Sequence, residues 1–146
     1  MIAGTPERVS ELFRQLGPAG QEKTYAPGKW SAREIICHLA DCEIAFGFRL
    51  RQTLAEPNHV IQPFDQELWA KRYSTLDGGT ALSSFVASRR WNQGLLRALS
   101  PNDFSIPAIH PERGPMSFGT IVETMGGHDL NHVGQLETIV SNGVPK

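Results

Sequence analysis

Gly127-His128-Asp129-Leu130-Asn131-His132-Val133-Gly134-Gln135 lies in the middle of the stretch Ser117 to Val140, where Ile121, Met125, Leu136 and Ile139 recur at the i, i+3/i+4 spacing of an amphipathic helix. At about 100° per residue, both histidines fall at the centre of that apolar face. Two imidazoles aimed into a core must be satisfied by hydrogen bonds, by a buried partner or by a metal. His-x-x-x-His on one helical face can also present two nitrogens to one ion, at about 2.0–2.1 Å for zinc. The helix therefore sets the class of fold and raises the question of a third ligand.

Working outward, the rest of the chain reads as three more helices. The first runs from Pro6 to about Leu16, with Thr5 as cap, Pro6 in the first position and Gly17-Pro18 as the stop. Its face is Val9, Leu12, Phe13 and Leu16. The second opens on the capping box Ser31-Ala32-Arg33-Glu34, with Trp30 and Ile35 at the positions of a hydrophobic staple. It continues to about Leu54, before Pro57, burying Ile35, Leu39, Cys42, Phe46 and Leu50, with His38 on the shoulder of that stripe. The third spans roughly Thr80 to Leu99, between Asp77-Gly78-Gly79 and Pro101. Leu82, Phe85, Val86, Leu96 and Leu99 face inward there, and so does Arg89, an unusual place for a guanidinium without a partner. The fourth is the histidine helix, with Ser117 as N-cap and its end near Asn142-Gly143.

No strand-like alternation of useful length is present, so the chain reads as all-α, one four-helix-bundle domain over residues 1–146. Two connections are long, about Ala55 to Gly79 and about Ser100 to Met116. Antiparallel neighbours need only short loops, so the first implies a crossover between parallel second and third helices. Loops of this length commonly serve as lids or rims. They carry Phe64-Asp65, Trp69, Tyr73 and the run His110-Pro111-Glu112-Arg113-Gly114.

Charge and composition exclude several roles. With 14 basic and 15 acidic residues the net charge is −1, and no Lys/Arg run exceeds two, so there is no footprint for nucleic acid or anionic lipid. No segment approaches the roughly 20 apolar residues of a membrane span, and the start has no signal-peptide core. Cys37 and Cys42 project from different faces of one helix, so they are expected to be free thiols in a cytoplasmic protein. There is no phosphate loop, nucleophile elbow or His-Glu-x-x-His motif.

His38 is the natural third ligand beside His128 and His132. Three neutral imidazoles leave a position on the ion for water or substrate, the arrangement of a catalytic zinc site. Zinc, nickel and iron all accept such ligands. Cys42, one turn after His38, could close a four-ligand site, although a small buried hydrophobe is its commoner role. Asp41, Glu43 and Asp129 are candidates to orient a ligand ring, with Glu43 and Asp129 nearest the buried stripes. Gln135 could reach the site from one turn beyond His132, or hydrogen-bond at the edge of the core. Arg89 either pairs with a buried carboxylate, the preferred reading, or holds an anionic substrate. His110 is a candidate rim residue, His59 a weaker one, and Trp30, Trp69 and Trp91 are read as packing residues.

Two segments carry a family resemblance. Pro27-Gly28-Lys29-Trp30-Ser31-Ala32-Arg33-Glu34-Ile35-Ile36-Cys37-His38-Leu39-Ala40-Asp41 and Gly127 to Gln135 resemble the two signatures of the DinB/YfiT-like superfamily. Phe64-Asp65-Gln66-Glu67-Leu68-Trp69 and His110 to Gly114 resemble one branch of it. The resemblance implies a bundle of up-down-down-up topology and a single divalent metal held by His38, His128 and His132, with Cys42 beside the site. It implies that homodimers are common, and that the family name, which records DNA-damage induction, signifies no DNA binding. Characterised members include bacillithiol S-transferases and a mycothiol-dependent isomerase, and others have been proposed as metal-dependent hydrolases.

Three functions follow as expectations. The first is transfer of a low-molecular-weight thiol to a small electrophile, with the thiolate stabilised by the metal and Arg89 or loop residues holding the cofactor's carboxylates. The second is hydrolysis by metal-bound hydroxide, with Glu43, Asp129 or a loop residue carrying the proton. The third is a non-catalytic, metal-stabilised stress or binding protein.

Overall fold

A computed structural model of the chain describes residues 2–143. In chain order it contains α1 (Thr5–Gly20), α2 (Ala32–Ala55), the short α3 (Gln66–Ala70), α4 (Gly78–Arg97), the strands β1 (Pro107–His110) and β2 (Gly114–Ser117), and α5 (Phe118–Gly143). Helices α1, α2, α4 and α5 form an all-α four-helix bundle of up-down-down-up topology. Helix α2 packs on both α4 and α5, and α1 closes the bundle mainly against α5.

Local chemistry explains the helix starts. Ser31 Oγ accepts from the Glu34 amide at 3.2 Å while Glu34 Oε2 accepts from the Ser31 amide at 2.8 Å, which satisfies two otherwise orphaned N–H groups of α2. Ser117 Oγ accepts from the Thr120 amide at 3.1 Å at the head of α5. Asp77, not Thr80, starts α4, because its carboxylate takes the Thr80 amide and draws Gly78 and Gly79 into the first turn.

The first helix departs from expectation at both ends. Gly4 is its N-cap and no side chain caps it; the Thr5 hydroxyl instead donates to Asp129 Oδ2 at 2.8 Å. Gly17-Pro18 bends the helix rather than ending it. Gly17 adopts φ 60°, ψ 179°, and helical turns resume through Gly20. The end proposed for the histidine helix, near Asn142-Gly143, adjoins residues outside those described.

The all-α reading missed a small hairpin. Strands β1 and β2 pair antiparallel, with Ala108 opposite Met116 and His110 opposite Gly114, where φ is 77°. Each strand has four residues and carries a proline, too short for alternation to register. The first crossover docks on it: the Asn58 amide donates to Pro107 O, Ile61 to Ile109 O, and Ile109 to His59 O. This pins residues 58–61 beneath the hairpin and presses Ile61 into the core.

Apolar packing forms two clusters along the bundle. One holds Val9, Leu12, Ile35, Leu39, Phe85 and Leu136; the other holds Phe46, Leu50, Ile61, Phe118, Ile121 and Met125. Each fully buried side chain of this size contributes about 1.5–3 kcal/mol. His38, Cys42, His128 and His132 lie at mid-height on α2 and α5, where the clusters meet.

Candidate metal centre

His38 projects from the second turn of α2 into the face that α5 presents, and His128 and His132 meet it from one turn and the next of that helix. The ring centroids of His38 and His128 are 4.9 Å apart, those of His38 and His132 4.8 Å, and those of His128 and His132 4.4 Å. His38 and His132 are buried, and His128 is half-buried, facing a cavity. The sequence placed His38 on a shoulder; in the structure it is 1% exposed, because Trp30 lies over its ring at 4.7 Å.

His38 Nε2 and His128 Nε2 stand 2.9 Å apart, so one of them donates a proton to the other. His132 is fixed differently. Its Nδ1 lies 2.8 Å from Gln135 Oε1, an acceptor, so Nδ1 carries the proton and Nε2 the lone pair. Gln135 Nε2 in turn donates to Tyr25 Oη at 3.4 Å. Gln135 thus orients a site ring as well as sitting at the core edge.

Burial favours the neutral form of all three imidazoles, and for His38 and His128 the neighbouring rings add to it. His38 is depressed to about 3 by desolvation followed by the fields of His132 and His128. His128 falls to about 4, again by desolvation first and His132 second. His132 is lowered by burial, against the opposing pull of Gln135. Neutral imidazole is the form that binds metal.

Among the described residues, the possible donors whose ligand atoms all lie within 4.8 Å of one another are His38, Cys42 and His128; His132 falls outside that group. Cys42 Sγ sits 3.4 Å from His38 Nε2. Burial, and secondarily Asp41, pushes the Cys42 thiol up to about 12, so it stands protonated beside the histidines. Both cysteines are free and buried.

Glu43, Asp129 and Arg89 come together with one another and not with the histidines. Arg89 Nε donates to Glu43 Oε2 at 2.9 Å and Nη2 to Asp129 Oδ1 at 2.9 Å, while Nη1 bonds Asp129 Oδ2. Asn92 Nδ2 occupies Glu43 Oε1 at 2.7 Å. All four carboxylate oxygens are engaged. Burial pulls the Arg89 guanidinium down, but the bonds from Asp129 and Glu43 outweigh it and its pKa is raised. This is the structural pairing preferred for Arg89, and it accounts for an arginine on an inward face. Asp41 is likewise committed elsewhere, accepting from Tyr73 Oη at 2.9 Å.

Two cavities meet at the histidines and share His128 and Gln66. One, of about 180 Å³, runs from Cys42 and His128 past Phe46 and Phe64 to Arg49 and His110. The other, more polar, is bordered by Tyr25, Trp30, Glu67, Asn131 and His132. His110 therefore reaches the rim as expected, whereas His59 borders neither cavity and bonds Glu56 O. Trp30 packs over the site rings and Trp69 stacks on Phe64 at 4.5 Å. Trp91 is not a packing residue: it is 73% exposed, with Arg51 over its ring. Sequence reasoning missed Arg49, because nothing local distinguishes a helical arginine that meets a distant hairpin.

A family model described as "DinB superfamily" matches residues 1–136. A protein of Oceanobacillus iheyensis named "Putative metal-dependent hydrolase" is 34% identical over 140 residues, covering 94% of this chain and 81% of the relative. A second protein of that name and organism is 25% identical over 136 residues, covering 92% and 79%. Among solved structures, "YfiT from Bacillus subtilis", described as "a probable metal-dependent hydrolase with an unusual four-helix bundle topology", superimposes with a TM-score of 0.89 at 20% identity, over 97% of this chain and 82% of that one.

Proposed function

The chain belongs to the DinB superfamily, and from that premise we propose that it is a metal-dependent hydrolase of small molecules in which His38, His128 and His132 hold one divalent ion. The observation that carries this reading is the cluster of three neutral imidazoles, centroids 4.4–4.9 Å apart, at the junction of two cavities. The names of the relatives support hydrolysis over the thiol transfer placed first among the expectations.

The donor set fits a divalent ion. The imidazoles need no deprotonation, and Gln135 leaves His132 Nε2 with its lone pair. His132 is favoured over Cys42 as third ligand because the Gln135 bond to its Nδ1 already fixes the tautomer that leaves the Nε2 lone pair free. Zinc, nickel and iron suit the set equally. When bound, such an ion supplies a Lewis acid that acidifies a coordinated water or thiol and polarises a carbonyl.

The chain's own residues supply the rest. Phe46, Ile61, Met116 and Ile121 give one cavity an apolar wall that excludes water from the substrate body. With Glu43 and Asp129 held by Arg89, proton transfer falls to the rim. His110 Nδ1 accepts the Glu112 amide at 3.2 Å, so in the neutral ring Nε2 carries the proton and can donate it to a leaving group. Glu67, bordering the polar cavity, is the available acceptor.

A second reading, transfer of a carboxylate-bearing low-molecular-weight thiol to an electrophile, draws support from the arginines at the far end of the apolar cavity. A panel of esters, amides and lactones, run on metal-loaded protein with and without bacillithiol, mycothiol or glutathione plus an electrophile, separates the two. Turnover without thiol supports hydrolysis, and turnover only with thiol supports transfer. Neither activity, with a large loss of Tm on chelation, would leave a structural metal. The proposed partners are a small-molecule substrate and a second copy of the chain covering the exposed Ile44, Phe48 and Trp91. Sedimentation showing only monomer at all concentrations would contradict the dimer.

A further inference from the structure

The cavity beside His128 is also lined by two arginines, Arg49 and Arg113. Among the described residues, Arg8, Arg33, Arg89 and Arg90 all find carboxylates. Arg49 and Arg113 make no ion pair there. An exposed arginine such as Arg113 needs none, but Arg49 is half-buried. Among the described residues, the only hydrogen bond of its guanidinium runs from Nη2 to Gln62 O at 3.2 Å, which leaves Nε and Nη1 without a protein acceptor there. Phe64 lies 5.3 Å and Phe46 5.9 Å from its guanidinium carbon, so aromatic faces hold the group in place. Burial disfavours its charged form, with Cys42 opposing and the like charge of Arg113 adding to it, and no carboxylate of the described residues lines the cavity that the two cations share.

We propose that Arg49, backed by Arg113, is the anion-binding end of the substrate cavity, and that the substrate is a small organic carboxylate whose reacting group lies toward His128. This deepens the proposed function and rests on it for the placement of the reacting end. The cavity, about 180 Å³, falls below the ~300–1,000 Å³ typical of drug-sized ligands, which limits the substrate to a short body. Phe46, Ile61, Phe64, Met116 and Ile121 line its middle, so that body is apolar. A planar fork of N–H donors in the cavity wall selects a carboxylate over a neutral amide through charge-assisted, bidentate hydrogen bonds. Arg49 is thus a specificity-determining residue. The competing explanation is that it merely anchors the crossover through Gln62 O.

The test is calorimetric titration with pentanoate and with pentanamide, an isosteric neutral pair, on wild type, Arg49→Gln and Arg49→Lys, each with metal loaded and with metal stripped by chelator. The expected result is at least a tenfold preference for pentanoate in wild type, kept after stripping, reduced in Arg49→Lys and lost in Arg49→Gln. Unchanged circular dichroism and melting establish that each variant folds. Equal affinity for the two probes in wild type overturns the proposal. So does a carboxylate preference that survives Arg49→Gln, and one that disappears on stripping shows the carboxylate on the metal instead. Metal content measured on the same samples reads the histidine site separately: wild type that binds no metal yet prefers pentanoate through Arg49 supports the anion site while removing the metal reading beneath it.

Discussion

Three residue-level details shape the proposed metal chemistry: the tautomer of His132, the protonation of Cys42 and the neutrality of the three rings. Gln135 sets the first. Replacing it with Ala removes the acceptor for His132 Nδ1–H, and we expect metal affinity to fall about 10–100-fold, the cost of losing a group that orients a ligand. Competition titration with a chromophoric chelator measures this, and unchanged affinity would show that His132 does not ligate. The neutral rings set a pH dependence. In the metal-stripped protein His38 and His128 titrate near 3 and 4, whereas in the unfolded chain they titrate near the ordinary 6.5. Between those values the unfolded state binds more protons, so folding stability is full above about pH 6.5 and is lost as pH falls through about 4 and then 3. Urea melts of stripped protein across that window should show the midpoint falling with acid; a midpoint that is flat from pH 7 to pH 4 contradicts the buried neutral rings.

At the scale of elements, Arg89 joins α2, α4 and α5 through Glu43 and Asp129, and Thr5 brings in α1 through the same Asp129. The network is buried and fully bonded, so truncating one member leaves an uncompensated charge. Asp129→Ala should cost about 3–5 kcal/mol by chemical denaturation. Replacing Arg89, Glu43 and Asp129 together with apolar residues of similar volume should cost much less. A small loss in the single variant would contradict the network's structural role. Gly47 shows how tightly α2 and α4 approach here: a Cβ at that position would lie 2.9 Å from Asn92 Nδ2, the atom that bonds Glu43. Gly47→Ala is therefore expected to destabilise the same network, which a lowered denaturation midpoint reads.

Across the whole molecule, what was legible in the sequence was what local chemistry determines. Ser31 and Glu34 declared the start of α2, and the spacing of His128 and His132 placed both on one buried face. The length of the first connection implied parallel second and third helices. Contacts set by distant partners were not legible. Thr5 reads as a cap until Asp129, far along the chain, accepts its hydroxyl proton. Arg89 looked anomalous, but which of several acidic residues answered it depended on how three helices cross. The hairpin escaped because backbone pairing to residues 58–61, rather than any side-chain alternation, holds it in place. That same hairpin brings His110 and Arg113 to the cavity that Arg49 lines, so the least legible element completes the proposed substrate cavity.

The most direct test of the metal assignment is metal content by mass spectrometry on protein purified without a histidine tag, compared across wild type, His38→Ala, His128→Ala, His132→Ala and Cys42→Ser. About one divalent ion per chain is expected in wild type and in Cys42→Ser, and its loss in each histidine variant. Loss of metal in Cys42→Ser with retention in His132→Ala would contradict that expectation, and would assign the ion to His38, Cys42 and His128 instead.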